Sequence, residues 1–188
     1  LARTGRDFDA IAAALSDRYR VLCPDTLGRG LSQWSPAPET EYAVSFYTRL
    51  AVAFVDALGV GTMRWLGTSM GAMIGTAAAA GPLKGRISHL VLNDMGPKIG
   101  DAALARIRAY AGSPAQFERV SELETYFRMI YKPFGLLTDA QWRRLAETSV
   151  RRTDGGRVTP HYDPKIVMMF DHEAELVQWD FWDALECK

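Results

Sequence analysis

Gly67-Thr68-Ser69-Met70-Gly71 stands between a short apolar run, Met63-Arg64-Trp65-Leu66, and a stretch of small residues containing Ala72, Gly75 and Ala77 to Ala80. That placement constrains the chain more than the five letters themselves. An apolar run, a glycine-flanked serine and a small-residue segment predict strand, tight turn and helix, the context in which a serine is held clear of the backbone as a nucleophile. Both Gly67 and Gly71 are expected to be glycine for steric reasons, because a side chain at either would crowd the turn or the neighbouring strand. The backbone N–H of Met70 opens the helix and can point at a developing oxyanion. The competing reading of Ser69 is a serine that caps an ordinary helix.

The surrounding text supports an α/β chain. Ile87-Ser88-His89-Leu90-Val91-Leu92 reads as a second strand, stopped by Asn93-Asp94-Met95-Gly96-Pro97. Tyr19 to Cys23 reads as a third, stopped by a loop through Pro24, Asp25, Gly28 and Gly30. Phe8, Ile11, Ala12 and Leu15 recur at helical spacing and predict a helix over 7–17 with one buried face. A longer helix is expected after Thr40 as its cap, with Phe46, Leu50, Phe54 and Leu58 on its apolar face. Strands alternating with helices imply a mostly parallel sheet with helices on both faces.

From Asp101 to Phe170 no strong strand is visible and helical patterns dominate, over 102–110, 114–131, 138–150 and 164–170. The aromatics Tyr110, Phe117, Tyr126, Phe127, Tyr131, Phe134, Trp142, Tyr162 and Phe170 are expected to form the core of this block, with some facing a pocket. The organisation predicted is a core over 1–98, a helical cap over 99–172 and a return to the core over 173–188. Three strands are few for so many helices, so the chain reads as a fragment of a larger sheet.

Composition removes several classes of function. The 188 residues are 48% hydrophobic, enough for one ordinary core, and the 22 basic and 22 acidic side chains cancel. This balance gives no reason to expect a nucleic acid or an anionic membrane as partner. No apolar run approaches the ~20 residues needed to span a bilayer. Cys23, inside an apolar run, is expected to be a small buried hydrophobe, and Cys187 ends the chain; no disulfide framework follows, and a cytoplasmic setting is favoured. Gly28-Arg29-Gly30 lacks the third glycine of a dinucleotide fingerprint, and there is no phosphate loop. His161 with Asp163, and His172 with Asp171 and Glu173, are too sparse to specify a metal. Neither a cofactor nor a metal is expected.

A serine nucleophile needs a base and an acid that orients it. In the strand-turn-helix architecture these follow the serine in the order acid, then histidine. His89 falls near the start of its strand, at the wrong end; His161 and His172 fall in and just after the helical block; none ends a late strand. Asp94 follows the strand 87–92 on the rim that carries Ser69. It is either the acid or, together with Asn93, a residue that shapes the loop through side-chain to backbone hydrogen bonds. Asp25 is expected to brace the loop from Thr26 to Ser32.

On four stretches the chain resembles the α/β-hydrolase fold family, in its serine-nucleophile branch with a helical cap inserted after strand six. They are Gly5-Arg6-Asp7-Phe8-Asp9, Cys23-Pro24-Asp25-Thr26-Leu27-Gly28-Arg29-Gly30-Leu31-Ser32, Gly67-Thr68-Ser69-Met70-Gly71 and Leu90-Val91-Leu92-Asn93-Asp94-Met95-Gly96-Pro97. The resemblance implies Ser69 as nucleophile and Met70 as donor of one oxyanion amide. It implies that the first strands and the last two lie outside these residues, and with them the upstream oxyanion loop, the histidine and the usual acid, which leaves Asp94 as an alternative acid. Remaining hydrolase segments would then complete the sheet, and a homodimer is among the assemblies allowed. Dehalogenases and epoxide hydrolases carry aspartate at the elbow, so Ser69 argues against both. The activity implied is hydrolysis of a small or medium carboxylic ester or related acyl substrate through an acyl-enzyme. Two alternatives stay open: a carbon–carbon bond hydrolase acting on dicarbonyl ring-fission products, and a catalytically inactive hydrolase-like binding protein.

Overall fold

The computed structural model describes residues 1–188, apart from the side chain of Phe134, which lies outside the described residues. In chain order the helices are α1 (Asp9–Leu15), α2 (Pro38–Glu41), α3 (Val44–Ala57), α4 (Met70–Ala80), α5 (Asp101–Ala111), α6 (Val120–Ile130), α7 (Asp139–Glu147) and α8 (Trp179–Asp183). The strands are β1 (Met63–Thr68), β2 (Ile87–Asn93), β3 (Val150–Arg152) and β4 (Val158–Pro160), and 3-10 turns cover Gly5–Phe8, Lys132–Phe134, Pro164–Asp171 and Glu173–Leu176. Contacts divide the chain into two compact units, one of residues 35–112 and 165–188 with Leu1, the other of 2–34 and 113–164.

The first unit is built on β1 and β2, paired in parallel from Met63↔Ile87 to Thr68↔Asn93. Parallel neighbours need a crossover, and α4 provides it. This helix is buried on almost every side, at Met70, Ala72, Met73, Ile74, Gly75, Thr76, Ala77, Ala78 and Ala79. Its run of alanines is what allows that, since small side chains let the helix lie close to the sheet and to α3. Trp65 on β1 reaches across to α4, its indole N–H donating to the Gly71 carbonyl at 2.9 Å. Gly75 leaves room for that ring, because a Cβ there would meet Trp65 Nε1 inside van der Waals contact. A core of Val55, Ala78, Ala79, Leu83 and Ile87 takes in Trp65, Leu90 and Leu185. Arg86 closes the end of α3, pairing with Asp56 at 2.7 Å and donating to the Val60 carbonyl at 2.7 Å.

The buried face of α3 differs from the expected one. Val44, Tyr47, Thr48 and Val55 are buried, whereas Leu50 and Phe54 are 39% and 37% exposed. Both stripes obey helical spacing. Packing against α4 selects the inner one, and its Thr48 is satisfied in place, the hydroxyl donating to the Val44 carbonyl at 2.8 Å. Nor does Thr40 cap this helix: it sits inside the short α2, and Ala43 holds the N-cap position of α3.

The second unit packs α6 on α7 through Leu123, Phe127, Tyr131, Trp142 and Ala146, with Phe117 and Tyr126 against them. Aromatics 117, 126, 127, 131 and 142 thus form a core, as expected. A capping box starts α7, the Thr138 side chain accepting from Gln141 N–H while the Gln141 side chain accepts from Thr138 N–H. Two expectations fail here. The block holds strands after all: β3 and β4 form an antiparallel hairpin, and Phe117 exchanges backbone hydrogen bonds with Val158 at 2.8 and 2.7 Å. Three-residue strands are too short for an alternation pattern to reveal. Residues 19–23, expected as a strand, adopt none, since no strand among the described residues pairs with them. Cys23 is accordingly exposed rather than buried, with Tyr19 and Leu22 at 41% and 37% exposure, and α1 buries none of its residues.

Asp25 braces its loop as expected. Its carboxylate accepts from Gly5 N–H at 2.7 Å and Leu31 N–H at 2.9 Å, and its carbonyl from the Ser32 hydroxyl at 2.6 Å. The loop is also laced to the segment after β4: Gly30 N–H donates to the His161 carbonyl at 2.9 Å, and Asp163 N–H to the Gly28 carbonyl at 2.8 Å.

Candidate active site

The end of β1 turns directly into α4 through Ser69, whose backbone lies at φ 51° and ψ −113°. A side chain at positive φ is strained by its Cβ and persists only where neighbours over-determine it. Three features do so. Ser69 N–H donates to the Asn93 carbonyl at 3.0 Å, carrying the β1–β2 ladder one step past the strand. The Asn93 side-chain amide donates to the Thr68 hydroxyl at 3.2 Å, tying the two strand ends together. Gly67 lies so close to the first turn of α4 that a Cβ there would overlap the Gly71 carbonyl and Ala72 N. The expectation for Gly67 therefore holds. That for Gly71 does not, since a Cβ at that position meets nothing within 4 Å.

Ser69 occupies the N-cap position of α4 yet makes no side-chain cap hydrogen bond. The capping role that would compete with a nucleophilic one is therefore not performed. Met70, the first residue of α4, has a buried side chain and follows Ser69 directly, so its amide lies beside the serine.

Asp94 is the second half of the same arrangement. Its φ is 54°, and Ser69 and Asp94 are the two residues other than glycine with positive φ among the described residues. Each directly follows the end of one of the paired strands, and both line a concave pocket of about 280 Å³. The pocket continues along the β2–α5 connection and the first turns of α5, taking in Met95, Lys98, Ile99, Ala103, Arg106 and Ile107. Sequence reasoning missed this wall. The signal was the spacing of Ala103, Arg106 and Ile107, which share one helical face directly after the connection.

Among the described residues no histidine lines the pocket. His89 lies on β2 opposite Arg64 with its ring beside the Ser88 hydroxyl at 3.1 Å, and His172 Nε2 stands 3.0 Å from the Glu39 carbonyl. His161 belongs to the second unit, where burial pushes its imidazole pKa down, Arg151 adds to the effect and Asp25 opposes it. In that unit partial burial and then Asp9 push the Cys23 thiol pKa up, in the direction opposite to a reactive thiolate. Among the described residues no group of three or more His, Cys, Asp or Glu could hold a metal ion. No helix described is long and apolar enough to cross a membrane.

A strand-to-helix elbow carrying a strained serine over a parallel sheet defines an α/β hydrolase architecture. The chain belongs to the alpha/beta hydrolase fold family, whose sequence profile matches residues 2–120. It is 40% identical over 196 aligned positions to the 3-hydroxybutyrate-oligomer hydrolase of Cupriavidus necator, an alignment covering 99% of this chain and 66% of that protein. Among solved structures it resembles a hydrolase from Rickettsia typhi with TM-score 0.90 and 30% identity, covering 100% of this chain and 64% of the other. It also resembles an alpha/beta hydrolase from Novosphingobium aromaticivorans with TM-score 0.84 and 31% identity, covering 98% of this chain and 66% of the other. The chain thus spans just under two thirds of the length of these relatives.

Proposed function

We propose that the full-length protein is a serine esterase that cleaves short esters of hydroxy acids, 3-hydroxybutyrate oligomers among them. One observation carries the reading: Ser69 is held at φ 51° with an uncapped hydroxyl, at the edge of a pocket. Strain at a half-buried polar residue costs stability, and such costs concentrate where a side chain must be presented to a ligand. The 40% identity to the oligomer hydrolase supports the choice of substrate. A pocket of about 280 Å³ with Met95, Ile99, Ala103 and Ile107 on its wall suits a short acyl chain.

In this mechanism Ser69 Oγ attacks the ester carbon as its proton passes to a base, and the carbonyl oxygen becomes an oxyanion held by Met70 N–H. Collapse expels the alcohol, which takes the proton back from the base, and leaves an acyl-Ser69 ester. Water then gives its proton to the base and attacks the acyl carbon, releasing the carboxylic acid and restoring the serine. The base is a histidine from outside residues 1–188, because no described histidine lines the pocket. Asp94 shapes the pocket rim, or orients that base if the usual acid is absent.

The test is Ser69→Ala in the full-length protein, assayed on the 3-hydroxybutyrate dimer. Loss of at least about a thousandfold in kcat is expected, as for removal of a catalytic serine. A serine-directed phosphonate should add its mass to Ser69 in the wild type and not in the variant. Turnover that survives the substitution at saturating substrate overturns the assignment.

A further inference from the structure

We infer that Lys98 and Arg106 form a carboxylate-recognition subsite beside Ser69, so that the enzyme prefers esters ending in a free carboxylate over neutral ones. The inference rests on the proposed esterase reading and specifies its substrate class. Both cations line the pocket that Ser69 lines. They come from different elements, Lys98 from the β2–α5 connection and Arg106 from the second turn of α5.

Each is held in place by its backbone. Lys98 forms an antiparallel bridge with Val177, and the preceding Pro97 carbonyl accepts from Gln178 N–H at 2.7 Å, so the connection is fastened to the segment before α8. Gln178 is itself buried and donates from its side chain to the Met73 carbonyl of α4, at 3.3 Å. The helix that carries the serine and the loop that carries Lys98 thus share an anchor. On α5, Ala103, Arg106 and Ile107 lie at i, i+3 and i+4 on the pocket side. Arg108, two residues on, turns away to pair with Asp171 at 3.1 Å and to donate to the Phe170 carbonyl at 2.7 Å.

What points to a ligand is that two cations without a carboxylate partner share the pocket that Ser69 lines. Lys84, Arg86 and Arg108 each have a carboxylate partner. For Lys98 and Arg106, no carboxylate among the described residues comes within 4.0 Å. In a chain with no net charge, two unpaired cations in one small pocket are a local excess. Asp94 is the one carboxylate on the wall, so the pocket keeps a positive balance even when Asp94 is ionised. Ile99 and Ala103 lie between the two cations along the chain and Ile107 directly follows Arg106; this apolar wall suits the methyl and methylene groups of a short hydroxy acid, while the cations take its carboxylate. Charge-assisted hydrogen bonds from Lys and Arg are the strong ones for this purpose, and Arg can make two at once.

The experiment compares full-length wild type with Lys98→Met, Arg106→Gln and the double variant. The substrates are the 3-hydroxybutyrate dimer and the same dimer capped as its methyl ester. The readout is the ratio of kcat/KM for acid over capped ester, which cancels effects common to both substrates. Wild type should favour the acid, each single variant should cut the ratio by about five- to tenfold, and the double variant should bring it near one, with the loss in KM. A ratio that stays at the wild-type value in the double variant overturns the subsite, while sensitivity to Ser69→Ala would leave the esterase reading standing. If neither ester is turned over, the esterase reading falls and calorimetric titration with 3-hydroxybutyrate decides the subsite alone. Binding by wild type that the double variant loses supports it; absent or unchanged binding overturns it.

Discussion

Replacing Ser69 by glycine should make the protein more stable than replacing it by alanine, although both changes remove the same hydroxyl. At φ 51° and ψ −113° the serine occupies backbone space that only glycine enters freely, and such a residue costs about 1–3 kcal/mol. Alanine keeps the Cβ and therefore keeps the strain. Its hydroxyl lost no cap hydrogen bond, so Ser69→Ala should lie within about 0.5 kcal/mol of wild type. Glycine removes the strain but gives back about 0.5–1 kcal/mol through the greater freedom of the unfolded chain. The net expectation is that Ser69→Gly exceeds Ser69→Ala by about 1 kcal/mol, or roughly 2–4 °C in Tm. Paired thermal unfolding scans of the full-length variants measure this, with urea unfolding as the equilibrium check. Asp94→Gly against Asp94→Ala should differ with the same sign, since Asp94 sits at φ 54°. If Ser69→Gly melts at or below Ser69→Ala, the elbow is not strained, and strain cannot be used as a sign of function here.

Gly67→Ala and Gly71→Ala should separate, although the two glycines flank the same serine. The first pushes a Cβ into the backbone of Gly71 and Ala72 and should cost about 3 kcal/mol or more, read as a Tm drop or loss of soluble protein; the second meets no atom within 4 Å and should gain about 0.4–1 kcal/mol as a helical Gly→Ala change. The lowered pKa of His161 gives a pH dependence of definite sign. Because the folded state holds this imidazole neutral to lower pH than the unfolded chain does, the unfolded state binds more protons between the lowered pKa and about 6.5. The resulting stability is whole above that window and is lost as pH falls through it; Tm against pH should show the decline, and His161→Gln should flatten it.

The strand-turn-helix around Ser69 was legible because several local signals agree over a dozen residues: apolar strand, glycine with a steric reason, and a helix of small side chains. The parallel pairing of 63–68 with 87–93 was legible for the same reason, since both runs are apolar and the segment between them can only be a crossover. What was not legible depends on partners distant in sequence. Tyr19 to Cys23 has the composition of a strand, but a strand exists only through a neighbour that takes its hydrogen bonds. The inner face of α3 competes with an outer stripe of equal periodicity, and packing rather than pattern chooses between Tyr47 and Leu50. The 150–160 hairpin is too short to alternate.

The site divides along the same line. Residues at the turn itself, Ser69 and Asp94, could be named because each follows a strand that the sequence already showed. The wall of the pocket could not, because its residues matter through where α5 lies. Once α5 is placed, Ala103, Arg106 and Ile107 fall on one face and Arg108 on another, and the charges sort without further assumption. Arg108 is spent on Asp171 and the Phe170 carbonyl, a structural tie between α5 and the 3-10 turn after residue 164. Arg106 has no such tie. Two arginines two residues apart therefore meet different surroundings for a geometric reason, since an offset of two on a helix is a rotation of about 200°. Exchanging their surroundings would require rotating the whole helix and breaking the ties that Arg108 makes to Asp171 and the Phe170 carbonyl. Gln178 ties the β2–α5 connection to α4, its backbone N–H donating to the Pro97 carbonyl and its side chain to the Met73 carbonyl, so the loop that carries Lys98 and the helix that follows Ser69 share one anchor.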